Sequence, residues 1–82
     1  MKARVHIFYK DSVFDPQGHT LGQSLNQIGF TQVKGVRVGK VVDIDLGEMD
    51  AGKAEEAIHQ MCEKLLANPV IESFTYELQK SV

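Results

Sequence analysis

The chain lacks the features that hold many small proteins together. It has 82 residues and one cysteine, Cys62, so no disulfide can form within it. The three histidines, His6, His19 and His59, lie far apart, and no Cys/His pair shows zinc-ligand spacing. A domain of this length buries only roughly 60% of the surface of its unfolded chain. Because disulfides are excluded and a structural metal is not indicated, we expect partner proteins to contribute to stability.

Long apolar runs and basic blocks are also missing. No segment approaches the roughly 20 apolar residues of a membrane span, and charges interrupt the apolar residues near the N-terminus, unlike those of a signal peptide. The net charge of −2 and the pI near 5.8 argue against nucleic acid as the main partner. We therefore expect one soluble, cytoplasmic domain over residues 1–82, bound neither to a membrane nor to nucleic acid.

Alternating apolar and polar residues predict strands at both ends of the chain and a hairpin in its middle. Residues 2–10 and 73–78 alternate with a period of two, which is typical of half-buried strands. Residues 33–46 are predicted to form the hairpin, in the one register that keeps their apolar side chains on a common face. That register sets Arg37 opposite Asp43, a favourable pair. The type of turn is left open.

Apolar residues at helical spacing predict two helices. The first covers residues 16–28, with Asp15 as its N-cap and Gly29 just beyond its C-terminus. The second begins after Asp50 and ends before Pro69, because the residue that precedes a proline avoids helical geometry. Its inner stripe is predicted to consist of Ala54, Ala57, Ile58, Met61 and Leu65.

The resulting order, β-α-β-β-α-β, is that of the ferredoxin-like fold. It predicts an α+β domain with a four-stranded antiparallel sheet and two helices on one face, which allows both crossovers to be right-handed. The other face is left open and polar, and this face and the edge strands are candidate association surfaces. The open face is predicted to carry Arg4, His6, Phe8, Arg37, Asp43, Asp45, Thr75 and Glu77.

No motif typical of catalysis is present. Gly39-Lys40 is followed by a valine instead of the Ser or Thr of a P-loop, and it lies in the predicted hairpin. Cys62 and His59 share one side of a helix, but no orienting group or oxyanion site accompanies them. An RNA-recognition motif needs more aromatic residues on the open face than Phe8 alone. We therefore expect no catalytic, cofactor-binding or metal-binding residue in this chain.

Four short strings stand between the predicted elements. They are Asp15-Pro16-Gln17-Gly18, Ile28-Gly29-Phe30, Val36-Arg37-Val38-Gly39-Lys40 and Leu65-Leu66-Ala67-Asn68-Pro69-Val70-Ile71-Glu72. In this order, at these spacings and in a chain of this length, they resemble the PurS family, the small subunit of phosphoribosylformylglycinamidine synthase. The family usually has leucine where Ile28 stands. The resemblance covers essentially the whole chain.

The resemblance implies a function that composition and spacing do not. The family enzyme is an ATP-dependent C–N ligase that converts formylglycinamide ribonucleotide (FGAR) to formylglycinamidine ribonucleotide (FGAM) in de novo purine biosynthesis. PurS proteins form homodimers or homotetramers, join a glutaminase subunit (PurQ) to a large synthetase subunit (PurL), and support ammonia transfer. By this resemblance ATP, magnesium and glutamine are used by the partner subunits.

Two of the strings supply a hypothesis for the partner contacts. The candidate interface residues are Asp15, Pro16, Gln17, Gly18, Arg37, Gly39 and Lys40. Local geometry, as a cap, a helix start and a turn, is the competing explanation for the same residues. Both explanations stand for Arg37 and Lys40, whereas local geometry is favoured for Pro16 and Gly18. The alternative function is a stand-alone regulatory domain, since βαββαβ dimers often bind small molecules between their subunits.

Overall fold

The structure, a computed structural model, describes residues 1–79, so the last three residues of the predicted 1–82 domain lie outside the described part. The elements are β1 Lys2–Tyr9, α1 Pro16–Gln27, β2 Gly39–Asp45, α2 Ala51–Met61 and β3 Glu72–Gln79, with a π-helical segment, Cys62–Leu66, directly after α2. The predicted α+β class is confirmed. No helix within residues 1–79 is both long and apolar enough to cross a membrane.

β1 is the central strand of an antiparallel sheet with the strand order β2-β1-β3. Its alternating pattern places Ala3, Val5 and Ile7 on the inner face, where each is at most 2% exposed. In the register of the sheet, Val5 lies between Val42 on β2 and Tyr76 on β3. The inner face of the sheet is therefore apolar across all three strands, as the alternation of the sequence predicts.

α2 covers this inner face. The Asp50 side chain caps the helix as predicted, accepting a hydrogen bond from the Lys53 N–H at 2.9 Å. Ala54 and Ile58 are fully buried, and Ile58 packs in the same apolar cluster as the inward residues of β1. Together they form the core of the protein. The predicted inner stripe is thus confirmed for Ala54 and Ile58, whereas Ala57 is half-buried and Met61 is 37% exposed.

The π-helical segment Cys62–Leu66 changes the direction in which the later side chains point. Its wider turn is marked by a hydrogen bond from the Ala67 N–H to the Cys62 carbonyl, five residues back. Cys62 is buried one regular turn after Ile58, and the additional residue in the following turn leaves Leu65 83% exposed. The prediction that Leu65 belongs to the inner stripe is therefore wrong, because it assumed a regular α-helical period.

Residues 33–38, predicted as the first strand of the hairpin, form no strand. The predicted four-stranded sheet is thus not confirmed: residues 1–79 contain three strands, and the missing one would lie at the edge beyond β2. The predicted pairing of Arg37 with Asp43 is wrong. Asp43 pairs with Arg4, its neighbour across the sheet, whereas Arg37 pairs with Asp11. Instead of pairing with β2, residues 36–38 contact the start of α1.

α1 lies apart from the core. Gly18 is its only buried residue, whereas Leu21 is 43% exposed. Only α2 therefore covers the sheet. The prediction that both helices pack on one face is correct for α2 and wrong for α1. The shape reflects this, since the radius of gyration is 16.2 Å and a compact chain of this length would have about 12 Å.

The predicted end of α1 is confirmed in detail. Gly29 has a φ of 111°, in the left-handed region that favours glycine. The Phe30 N–H bonds to the Leu25 carbonyl and the Gly29 N–H to the Asn26 carbonyl, which is the Schellman arrangement. The helix thus ends at a well-defined position even though its sides are exposed.

Candidate interaction site

Two of the strings singled out in the sequence come together at the start of α1. Asp15 connects them: its Oδ1 accepts a hydrogen bond from the Gly18 N–H at 2.9 Å, and its Oδ2 accepts one from the Val38 N–H at 2.8 Å. These bonds, that of Val38 above all, lower the pKa of the Asp15 carboxyl. One carboxylate thus caps α1 and fastens the chain that leads into β2. We call this meeting of residues 15–18 with residues 36–38 the junction.

Gly18 allows the two backbones of the junction to touch. A Cβ at this position would lie 2.3 Å from the Val36 carbonyl oxygen and 2.7 Å from Asp15 Oδ2. Both distances are far shorter than a van der Waals contact, so any larger residue forces the backbones apart. Local geometry therefore requires glycine at this position.

Arg37 attaches the junction to the end of β1. Its guanidinium forms an ion pair with Asp11 at 2.8 Å and also donates a hydrogen bond to the Tyr9 carbonyl oxygen. The same group lies 5.6 Å from the centre of the Phe8 ring, within range of a cation–π contact. Because the Arg37 side chain is half exposed, the ion pair itself adds little stability. Its main effect is to position residues 36–38.

The remaining predicted interface residues fall into two groups. Gly39 is set by packing, because a Cβ there would lie 2.5 Å from a Phe8 ring carbon. Pro16, Gln17 and Lys40 are exposed, and the Lys40 ammonium has no partner within residues 1–79. The helix start is thus exposed at the junction and Lys40 is exposed two residues beyond it, at the beginning of β2.

A second feature, which the sequence reasoning missed, is a cleft of about 480 Å³ between α1 and the chain that follows it. We call it the α1 cleft. It is lined by His19, Gly22, Gln23, Asn26, Gln27, Val33, Lys34 and Gly35. The helical residues in this set recur every three or four positions and so share one face of α1. Three carboxamides on one helical face were the signal that could have identified it.

The opposite face of α1 is apolar. Leu21, Leu25 and Ile28, here called the apolar stripe, lie on the side of the helix that faces away from the cleft by their helical spacing. Ile28 is 71% exposed. Leu21 is 43% exposed and Leu25 is half-buried, and none of the three belongs to the core cluster, so the stripe is only partly covered within the described chain.

The open face of the sheet is polar, as predicted, and its charges are largely paired. Arg4 forms a bidentate pair with Asp43, at 2.9 and 3.2 Å, and this contact lowers the pKa of the Asp43 carboxyl. His6 Nε2 lies 3.3 Å from Glu77 Oε1. Opposite charges that face each other across neighbouring strands satisfy one another, so this face offers little unmatched charge to a partner.

Cys62 and His59, weighed in the sequence as a nucleophile and base, do not form such a pair. Cys62 is fully buried, and burial raises the pKa of its thiol, so the reactive thiolate is disfavoured. His59 instead lies 2.7 Å from Glu63 Oε1. Residues 1–79 also contain no group of three His, Cys, Asp or Glu side chains placed to hold a metal ion.

The sequence matches a family model over nearly its whole length. The model described as PurS, phosphoribosylformylglycinamidine (FGAM) synthase, matches residues 2–80. The PurS subunit of this synthase from Methanocaldococcus jannaschii is 40% identical over 96% of this chain and 95% of its own length. The PurS subunit from Bacillus subtilis is 37% identical over 99% of this chain and 95% of its own length.

Solved structures agree with the sequence relatives. The crystal structure of M. jannaschii PurS superimposes with a TM-score of 0.88 at 41% identity, covering 99% of this chain and 98% of that one. A chain of the PurLQS structure from Thermotoga maritima gives a TM-score of 0.84 at 32% identity, with 93% of each chain covered. Sequence and fold therefore lead to the same assignment: the chain belongs to the PurS family of phosphoribosylformylglycinamidine synthase subunits.

Proposed function

We propose that this chain is a non-catalytic bridging subunit of FGAM synthase that joins the glutaminase subunit PurQ to the large synthetase subunit PurL. The observation that carries the proposal is its likeness, over nearly the whole chain, to a chain of a solved PurLQS complex. The partner subunits use ATP, magnesium and glutamine. The bridge keeps them together in the cytoplasm, so that ammonia passes from one site to the other without loss to water.

The extended shape supports a role in assembly. The apolar stripe of α1 is exposed although the chain has a core of its own, and apolar side chains that recur along one helix face are typical of a contact surface. We infer that the chain works as a homodimer or homotetramer in which a second copy covers the stripe. A strand of a second copy beside the open edge of β2 would also complete the four-stranded sheet expected from the sequence.

The junction supports a more specific proposal for contact with the larger subunits. Gln17 is exposed in the junction and Lys40 is exposed two residues after it, while Asp15, Gly18 and Arg37 hold the backbone of the junction in place. Substituting Lys40 by Ala removes an unpaired charge without breaking a contact within residues 1–79. Arg37→Ala removes a contact in the junction as well. We expect both variants to weaken co-purification with PurL and PurQ, and the effect of Lys40→Ala is the cleaner measure of the interface.

The proposed function is tested by reconstitution. Synthesis of FGAM from FGAR, ATP and glutamine is measured with PurL and PurQ from the same source, in the presence and absence of this chain. We expect glutamine-dependent activity to require the chain, whereas activity with added ammonium salt should depend on it much less, because free ammonia bypasses the transfer step. Equal glutamine-dependent activity with and without the chain would contradict the proposal. Saturable binding of a metabolite to the isolated chain would instead support the regulatory-domain alternative.

A further inference from the structure

One stretch of the sequence differs from the rest in its charge. Residues 16–33, which span α1 and the turn after it, contain no Asp, Glu, Lys or Arg. At the charged fraction of the whole chain, 24%, a stretch of this length would carry about four such residues. α2, by contrast, has Lys53, Glu55 and Glu56 on its exposed side. Charged side chains are depleted at the centres of protein interfaces, so their absence along an exposed helix indicates contact with protein.

The absence of charge extends to both sides of α1. The apolar stripe occupies one side, and a second copy covering it accounts for that side alone. The opposite side forms the α1 cleft, whose helical wall presents Gln23 and Gln27 without a charged residue. A solvated helix face would be expected to carry charge, as that of α2 does. The cleft side of α1 therefore calls for an occupant of its own.

We propose that the α1 cleft binds an extended peptide segment of a larger synthase subunit through main-chain hydrogen bonds. This inference rests on the proposed function and names a contact surface for it that differs from the junction. The partner segment lies between the carboxamides of α1 on one side and the backbone of residues 33–35 on the other. The segment is uncharged where it enters the cleft, because apart from Lys34 the lining has no charged group that could pair with a charge on the segment.

The lining of the cleft matches the chemistry of a peptide backbone. The side chains of Gln23 and Gln27 make no hydrogen bond within residues 1–79, whereas Asn26 is bonded back to the Gly22 carbonyl at 2.8 Å. The N–H groups of Lys34 and Gly35 likewise donate to no described residue. A carboxamide offers one acceptor and two donors. Free amides on both walls are therefore able to bond an inserted strand, as in peptide recognition by strand addition.

Paired substitutions that preserve shape test the proposal. Gln23→Glu with Gln27→Glu keeps the size and the helix propensity of both residues but places two carboxylates in the cleft. We expect binding to a mixture of PurL and PurQ to weaken by roughly tenfold or more, since carboxylates cannot donate to the carbonyl oxygens of the segment and only one cation, Lys34, is present to offset the cost of burying two charges. The matched control is Gln60→Glu on the exposed side of α2, which should bind like the wild type. Circular dichroism and native mass should remain unchanged in all variants.

Amide hydrogen exchange supplies an independent measurement. We expect exchange at Lys34 and Gly35 to be fast in the isolated full-length chain and to slow on addition of PurL and PurQ. The proposal is overturned if the double variant binds with wild-type affinity, or if these amides are unaffected by the larger subunits. Protection already present in the isolated chain would overturn it too, because a second copy would then occupy the cleft. If the wild-type chain itself neither binds PurL and PurQ nor supports glutamine-dependent activity, the proposed function fails first.

Discussion

Asp15 uses its two carboxylate oxygens for two separate structural tasks. Its role as the N-cap of α1 follows from local sequence and is confirmed by the bond from the Gly18 N–H. Its bond from the Val38 N–H, 23 residues away, could not be predicted. A cap depends on residues three positions apart, whereas nothing in the sequence places Val38 beside the helix start. The same limit applies to Arg37, which was predicted to pair with Asp43 and pairs with Asp11 instead.

Replacing Asp15 by Asn separates the two tasks. Asparagine is a good N-cap and keeps the acceptor for Gly18, but its NH₂ group cannot accept from Val38. The folded protein lowers the pKa of Asp15, so its contribution to stability is fully present above the unfolded pKa of about 3.9 and is lost as the pH falls below it. At pH 7 we expect the variant to unfold several degrees below the wild type, by about 5 °C. The difference should shrink between pH 4 and 2.

Thermal unfolding followed by circular dichroism, at one protein concentration and several pH values, measures this difference. Asp50→Asn is the control, because Asp50 makes the cap bond to Lys53 that asparagine retains. A difference that persists unchanged at pH 2, or that is absent at pH 7, would argue against a stabilising bond between Asp15 and Val38.

At the scale of the elements, the sequence predicts features that depend on near neighbours and misses features that depend on distant ones. Both helix starts were predicted from their N-caps, Asp15 and Asp50, and the end of α1 from Gly29. These signals are visible in the sequence because each acts within a few residues. Residues 33–38 have the alternation of a strand, but a strand also needs a neighbour, and here the junction fastens the segment to α1. The π-helical turn after α2 likewise has no signature in the apolar period. The α1 cleft depends on the position of residues 33–35 beside α1 and was missed for that reason.

Two glycines of α1 provide a matched test of the junction. Gly18→Ala places a Cβ against the Val36 carbonyl oxygen, so a backbone must move, and we expect a loss of about 1–3 kcal/mol in the free energy of unfolding. Gly22→Ala places a Cβ 3.6 Å from Val36 Cγ2, an ordinary contact, and should add about 0.5–1 kcal/mol because alanine favours the helix. Urea unfolding measures both. A change of the same sign in the two variants would refute this account of the junction.

At the scale of the whole molecule, one half is a packed domain and the other is an exposed helix. The sheet and α2 share a core around Val5, Ile7 and Ile58, all at most 1% exposed. α1 adds nothing to that core and is attached mainly through the junction. The overall dimensions of 48 × 31 × 14 Å show how far the chain departs from a sphere. A thin core together with an uncovered helix is the arrangement expected of a protein that completes its packing in an assembly.

The apolar stripe gives this arrangement a direct test. Leu21→Glu places a charge in the stripe while keeping a good helix former, and the side chain is already 43% exposed in the single chain. We expect the chain to stay folded but its native mass to fall towards that of a monomer, as measured by light scattering after size exclusion. Leu65→Glu, at a site that is 83% exposed and outside α1, is the control and should keep the native mass. The reverse pattern would place the self-association surface on the π-helical segment instead.

The central position of β1 has a consequence for synthesis of the protein. Lys2 is paired with Gln79, so β1 leaves the ribosome well before the strand that it pairs with. Until β3 has left the ribosome, the inward side chains of β1 lack half of their neighbours, and pairing between such distant segments is slow. The nascent chain therefore carries a strand whose apolar side chains are incompletely covered until β3 becomes available. Aggregation is most probable in that interval, before any contact with a partner subunit can form.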